Sequence, residues 1–406
     1  MTQKKAEFDV AIVGAGIAGL ALANALDNSG LKVLLLESGT FQQSPPPVDN
    51  AGVDGFDARV SALTLGSIRA LQRLGVWPHI ENQRVQPFDK MYVWDGEGTG
   101  DISFAAAELG EQQMGAIVEN RVLVYSLLDN LAMSGNVKML DNAAVIDIRP
   151  ITEIDGVKQA IELHDKTIVT KLLVGADGAN SFVRQHFEFR TREWDYGHNA
   201  IVCTVETESS HQNTAWQRFM HSGPLAFLPL PGEGNLCSIV WSCETEKAGQ
   251  LMQLDDAAFM QQLTVASEHK LGNIRQVSQR FSVPLRQRHA IEYVKQGVAL
   301  VADAAHTIHP LAGLGINLGL QDVLVLAEEI QRAKKRDYPV GDIRVLSRYQ
   351  RRRKGENLLV MSVMEGFKRL FEQQSLPLLW LRNKGMNSVA RISPLKRRLM
   401  QHVMGL

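Results

Sequence analysis

Gly14, Gly16 and Gly19 stand at GxGxxG spacing in the stretch FDVAIVGAGIAGLALANALDNSGLKVLLLE, which Glu37 closes. Each glycine at that spacing has a separate task. Gly14 permits a tight turn, Gly16 lets a pyrophosphate approach the backbone, and Gly19 lets a following helix sit close to the preceding strand. A carboxylate at Glu37 can accept from both ribose hydroxyls and disfavours a 2′-phosphate, so the chemistry is binding of NAD or of the ADP half of FAD rather than NADP. Two further acids follow apolar runs and glycine-rich turns: Asp177 in GADGANSFVR and Asp303 in ADAAHTIHP. Taken singly, each would only cap a turn. In order behind the glycine motif the two are more specific than either alone, and Arg59, Arg121 and a helix start at Gly315, Ile316 and Asn317 stand with them as cofactor-binding candidates.

Those residues need elements to hold them. Asp9–Val13 is short, apolar and rich in branched side chains, as a strand buried on both faces requires. The helix through Leu20, Leu22 and Leu26 aims its N–H groups and positive dipole end at the phosphates. Lys32–Leu36 predicts the second strand. A long Pro/Gly/Asp-rich loop then closes on Arg59. Ala62–Leu74 and Arg121–Leu131 read as helices, Pro87–Phe104 and Gly115–Glu119 as strands, and four short strands lead to Asp177. His198–Glu206, Trp216–Met220, Leu225–Leu230 and Leu236–Cys243 predict a second, antiparallel, aromatic-rich sheet. Gln250–His269 predicts a helix, Val277–Val283 a strand returning to the first domain, Gly297–Ala302 another buried strand, and the chain is mostly helical from Ile316 onward. Ser181 reads as a helix cap with Arg184 on its helix. No polar linker separates domains, so they are interleaved.

A chain of 406 residues, 45% hydrophobic and 21% charged, is ordinary globular material with room for two domains. Lys4 and Lys5 precede an apolar run, but that run is the nucleotide cradle and lacks a small-residue cleavage site. No stretch reaches membrane-spanning length without polar interruption, which predicts a soluble or peripheral protein. Cys203, Cys237 and Cys243 are an odd number without ligand-like spacing, which fits buried thiols in a reducing, cytoplasmic setting and no metal. The net charge of −1 hides a basic tail: Arg344–Leu406 holds fourteen Lys/Arg against three Asp/Glu. The tail lacks any nucleic-acid-binding motif, so no nucleic-acid partner is expected.

GAGIAG with Glu37, GADGANSFVR, and ADAAHTIHP with GLGINLG together resemble the FAD-dependent aromatic hydroxylases, the class A flavin monooxygenases built like para-hydroxybenzoate hydroxylase. ARVSAL, LGVW, VWD, GAIVEN and HTIHPLAG resemble the ubiquinone-biosynthesis hydroxylases among them, which oxidise a prenylated phenol. The resemblance implies an α/β fold: a Rossmann-like FAD-binding domain (1–87, 119–187, 287–343), an interleaved antiparallel β-sheet substrate domain (88–118, 188–286) and basic C-terminal helices (344–406). It implies that Glu37 binds the adenosine ribose and Asp303 the ribitol or pyrophosphate region. Asp177 then sits where flavin and nicotinamide meet, and the Gly315–Asn317 helix start faces the pyrimidine edge of the isoalloxazine. Two positions depart from the family pattern: Ala302 stands where Gly is usual, and Leu314 where Gln is usual. Alanine is tolerated at 302 if its φ is negative.

Only one dinucleotide cradle is present, so NAD(P)H is expected as a transient reductant, with O2 activated as a flavin C4a-hydroperoxide. Water exclusion makes the second sheet the roof of the site, with Phe227, Pro229, Trp241 and Pro310 as pocket candidates. Arg218 is the single candidate for holding a substrate carboxylate, so an apolar prenylated phenol is favoured over a small aromatic acid. His306 and His309 read as packing histidines rather than acid or base, and no catalytic side chain is assigned. The basic tail has two readings, a surface for an anionic inner membrane or a packed helical cap. A flavin-binding scaffold in an assembly of ubiquinone-biosynthesis proteins, or a homo-oligomer, is the alternative from a different class.

Overall fold

Val10, Ala11, Ile12 and Val13 end the strand Ala6–Val13 and are all buried, as their apolar run requires. This strand lies between Val33–Leu36 and Thr167–Gly175, parallel to both, with Val10 opposite Val33 on one side and Leu172 on the other. Val137–Leu140 extends the parallel sheet beyond Val33–Leu36, and Val298–Leu300 extends it beyond Thr167–Gly175. Helix Ile17–Leu26 covers one face through Leu20, Leu22 and Leu26, all fully buried. The computed structural model describes residues 6–42, 44, 52–133, 135–153, 156–307, 314–372 and 393–406.

A second, nine-stranded sheet is built around the strand Thr191–Thr207, which pairs antiparallel with Leu236–Glu244 and Phe281–Ala290. Gly223–Pro229 and Thr214–Met220 follow outward. The sheet is not wholly antiparallel. Thr214–Phe219 runs parallel to Lys90–Asp95, where two separate excursions of the chain into this sheet meet side by side, and His306–Thr307 enters it a third time at the far edge. A third, small sheet of Val60–Thr64, Gly115–Glu119 and Val85–Phe88 links the two.

Three predicted elements differ. Ala62–Leu74 is a strand to Thr64 and a helix only from Leu65 to Arg73, since Thr64 accepts the Ser67 N–H and caps it. Gln250–His269 is two helices, Thr245–Gln253 and Asp256–Ala266, divided where Asp255 accepts the Ala258 N–H as a new N-cap. The strand from Val277 divides too, into Ile274–Val277 and Phe281–Ala290, both in the second sheet.

Helix Leu314–Lys335 packs on Ile17–Leu26, and helix Ile343–Glu372 packs on it in turn. The long basic helix is core material at its start: Val345, Leu346 and Tyr349 are fully buried, and the Tyr349 hydroxyl donates to Leu300 O at 2.8 Å. Apolar side chains buried to that degree contribute about 1.5–3 kcal/mol each. Its arginines face acids: Arg348 and Arg352 meet the fully buried Glu329 at 2.8 and 2.9 Å, and Arg353 meets Asp322. Helix Ser393–Met404 buries Met400 and Met404 beside Leu65, with Lys396 paired to Glu108. The first half of the tail is therefore a packed cap whose charge is largely compensated.

Candidate flavin site

The three glycines of the first turn occupy three different geometries. Gly14 has φ +102°, and a Cβ there would stand 2.6 Å from Ala176 O. At Gly19 a Cβ would lie 1.9 Å from Gly14 O, so helix and strand touch through backbone. Around Gly16 there is no atom within 4 Å of such a Cβ; the open side of the turn is here, at the N-cap of a helix with no side-chain cap and no acid in its first turn. That combination suits a pyrophosphate. Glu37 ends the second strand and reaches the same turn, accepting from Ala15 N–H at 2.7 Å and Gly39 N–H at 3.0 Å. Burial would raise its pKa, but these backbone donors and Ser38 outweigh it and keep the carboxylate below its ordinary range.

Asp177 abuts this turn, its Cα 2.8 Å from where a Gly14 Cβ would be. One of its oxygens accepts from Val183 N–H at 3.0 Å, and the other is buried without a partner. Ser181 caps the same short helix, accepting from Arg184 N–H at 2.9 Å. Arg184, which is 4% exposed, donates to Ala179 O and, across 120 residues of chain, to Ala304 O. One arginine thus ties the Asp177 turn to the Asp303 turn. Asp303 lies in a recess: solvent reaches its side chain, yet the surrounding protein pushes its pKa up, while His306 and Arg59 pull it down. Arg59 and Asp303 therefore share a site. An open carboxylate, an orphaned Asp177 oxygen and the open face of Gly16 all fit FAD.

Ala302 has φ +51°, in the left-handed region, so the condition for a strain-free alanine is not met. Its N–H donates to Asp322 at 3.2 Å, and a Cβ on Gly319 would come within 2.8 Å of the Ala302 Cβ. Asp322 is fully buried and surrounded by donors: Ala302 N–H, His306 Nε2 at 2.5 Å, Arg353 Nε at 2.8 Å and Asn357 Nδ2 at 3.1 Å. Burial alone would raise its pKa, but His306 and Arg353 hold it down at about 2. His306 is thus a buried structural partner. Sequence reasoning passed over Asp322 and placed Arg184 on its helix without a role; for Asp322 the available signal was an acid set between buried Leu320 and Val323 on an otherwise apolar helix face.

Asn317 is buried, and its side chain is engaged: it accepts from Thr64 N–H at 2.9 Å and donates to Ala62 O at 2.8 Å. It pins the helix start to the linking sheet, which leaves the backbone of Gly315 and Ile316 as the part able to face a ligand. Arg121 is likewise engaged, by Glu119 at 2.7 Å and Gly55 O at 2.8 Å. Glu119 also binds Arg84 and the Asp57 N–H, so this cluster clamps the loop that ends in Arg59. Arg121 is placed to hold that loop.

The pocket candidates need revision. Phe227 and Trp241 are 1% and 5% exposed and belong, with Phe259 and Leu263, to the core between the second sheet and the two helices behind it. Pro229, two residues on from Phe227, is buried on the same side because side chains alternate along a strand. The opposite face carries Ala226, Leu228 and Val240, and Leu228 packs against the apolar cluster that contains Leu65 and Met404. Pro310 and His309 lie outside the described residues. Arg218 is spent on Gly96 O, Ala266 O and Glu268, which removes it as a substrate anchor. Among the described residues there is no cluster of metal-ligating side chains and no helix long and apolar enough to cross a membrane.

Residues 7–355 match the family of FAD binding domains. The 3-demethoxyubiquinol 3-hydroxylase of Escherichia coli is 34% identical over 399 residues, covering 98% of each chain. The ubiquinone hydroxylase of Rhodospirillum rubrum is 36% identical over 98% of this chain and 89% of its own. The mitochondrial ubiquinone biosynthesis monooxygenase of Xenopus tropicalis is 34% identical over 97% and 93%. In fold the chain is similar to p-nitrophenol 4-monooxygenase of Pseudomonas putida, with TM-score 0.76 at 19% identity over 98% of both chains. With a nucleotide turn, the Asp177 turn packed against it, the Asp303 turn tied to that one by Arg184 and kinship over nearly the whole chain to these enzymes, the chain belongs to the FAD-dependent monooxygenases, in the family of ubiquinone-biosynthesis hydroxylases.

Proposed function

We propose that this enzyme hydroxylates the ring of a prenylated phenol on the way to ubiquinone, by the overall reaction phenol + O2 + NAD(P)H + H⁺ → ring-hydroxylated phenol + NAD(P)⁺ + H2O. The observation that carries the reading is the end-to-end likeness to 3-demethoxyubiquinol 3-hydroxylase. The engagement of Arg218 by Glu268 supports an apolar substrate over a carboxylated one. The chemistry that FAD supplies when bound is activation of O2 after reduction. The chain supplies position and charge. Gly14, Gly16 and Gly19 with the Ile17 helix start take the pyrophosphate, Glu37 the ribose, and Arg59 with Asp303 the ribityl and pyrophosphate region. The backbone at Gly315 and Ile316 presents a positive helix end to the flavin. The Asp177 turn lies beside the nucleotide turn, where a transient nicotinamide can approach. Leu228 and its neighbours on the open sheet face keep water from the reacting ring.

Substrate-stimulated NAD(P)H oxidation tests this, with a short-chain prenylated phenol in detergent beside a small aromatic acid. Stimulation by the acid alone would overturn the substrate assignment. Contact with the inner membrane is a finer part of the proposal. Leu358, Leu359 and Val363 are 40%, 54% and 42% exposed on the outer side of the long helix. Because Arg348, Arg352 and Arg353 are already paired, attachment through this strip should depend more on apolar area than on salt. Co-sedimentation with anionic and neutral vesicles at two salt concentrations checks it: no binding to either removes the membrane from the proposal.

A further inference from the structure

Asp322 stands two helical turns inside Leu314–Lys335, away from every surface, and all four of its partners are donors. Two belong to the segment that carries Asp303: the Ala302 N–H and the His306 ring. The other two, Arg353 and Asn357, belong to the long C-terminal helix. A carboxylate is acceptor-only and can satisfy four donors with two oxygens. An amide in its place would turn an N–H2 group toward one pair of donors. Asp322 therefore joins three parts of the chain that are distant in sequence, and it does so at a turn whose first residue is held in the left-handed region. An alanine at φ +51° returns to an extended or right-handed conformation unless its surroundings prevent it, and the Ala302 N–H to Asp322 bond, with Gly319 close behind, is what opposes that return.

We propose that Asp322 is a positioning residue for the flavin site: it locks the Ala302 turn so that the Asp303 carboxylate opens into the cofactor recess, and Arg353 of the C-terminal helix holds it there. The inference deepens the assignment of Asp303 as a cofactor ligand and rests on it. Its consequence is that the C-terminal helix, which is far from the nucleotide turn in sequence, governs cofactor retention.

Glu329 provides the control. It is also fully buried, sits on the same helix and bridges the same helix pair through Arg348 and Arg352, but its ion-pair partners are Arg332, Arg348 and Arg352 rather than the Ala302 turn. FAD affinity would be measured by fluorescence quenching on full-length protein stripped of FAD, for wild type, Asp322→Asn, Glu329→Gln and Asp303→Ala, alongside thermal midpoints and the visible circular dichroism of bound flavin. The expected result is that Asp322→Asn weakens FAD binding at least tenfold and alters the flavin dichroism. Glu329→Gln should lower the midpoint while leaving affinity within twofold. Adding Ala302→Gly to Asp322→Asn should restore part of the affinity, because a glycine turn needs less enforcement. If Asp322→Asn does not fold, Arg353→Lys takes its place, with the same expected contrast to Glu329→Gln. Equal effects of Asp322→Asn and Glu329→Gln on affinity, or none from either, would overturn the proposal. Unchanged affinity in Asp303→Ala would instead remove the ligand assignment beneath it.

Discussion

Replacing Ala302 with glycine should stabilise the protein, and replacing it with valine should destabilise it by a larger amount. Ala302 has φ +51°, where a Cβ crowds the following carbonyl, and the family pattern has glycine at this position. Exchanging glycine and alanine at a positive φ is worth about 1 kcal/mol in favour of glycine, even after the extra freedom of the unfolded chain is counted. Against this stands the half-buried methyl, about 0.4 kcal/mol at roughly 0.8 kcal/mol for a fully buried methylene. The net gain is about 0.5 kcal/mol. Valine adds branching in a region that β-branched residues essentially never adopt, and its extra methyls would meet the Gly319 backbone, which already passes the Ala302 Cβ closely. A loss of about 2–3 kcal/mol is expected. For a chain this long 1 kcal/mol moves the thermal midpoint by only about 1 °C, so urea midpoints of the three proteins are the better measure. The expected order is Gly above Ala above Val. A glycine variant less stable than wild type, or a valine variant equal to it, would refute the left-handed assignment and with it the argument from strain.

Other outcomes follow from the same geometry. Burial, together with the neighbouring His306, Lys354 and Arg192, pushes His289 down to about 4 from 6.5. Its folded pKa lies below its unfolded one, so the stability from a neutral His289 is complete above pH 6.5 and is lost as pH falls toward 4, at up to about 1.4 kcal/mol per pH unit. His289→Gln should flatten that part of the curve, and an unchanged slope would contradict it. Gly19→Ala should abolish stable folding or FAD retention, because a Cβ 1.9 Å from Gly14 O forces helix and strand apart; a soluble, yellow variant would count against the packing described. A chain ended at Asp342 should not fold, since Val345, Leu346 and Tyr349 fill the core that remains. Recovery of a cooperative thermal transition from that truncation would show the long helix to be dispensable.

What could be read without the structure was whatever is encoded between near neighbours. The GxGxxG spacing, the strand before it and the acid after it specify one turn and its ligand, because the positive φ of Gly14 and the approach of Gly19 to Gly14 O are matters of local backbone geometry. Ser181 as a cap and the strand Gly115–Glu119 were legible for the same reason. The two later motifs could be recognised by their order, but not how they are held. Arg184 reaching Ala304, Asn317 reaching Thr64 and Arg353 reaching Asp322 connect residues 120, 253 and 31 positions apart, and no local periodicity carries such a pairing. Phe227 and Trp241 were assigned to the pocket and lie in the core for a related reason: alternation tells which residues share a face, and only the packing of Thr245–Gln253 and Asp256–Ala266 decides which face is the core. The excess of arginine in the tail was visible from composition, but its meaning depended on the partners. Glu329 and Asp322, placed beside it by helix packing, take Arg348, Arg352 and Arg353 out of a free surface field and into ion pairs that hold the long helix to Leu314–Lys335.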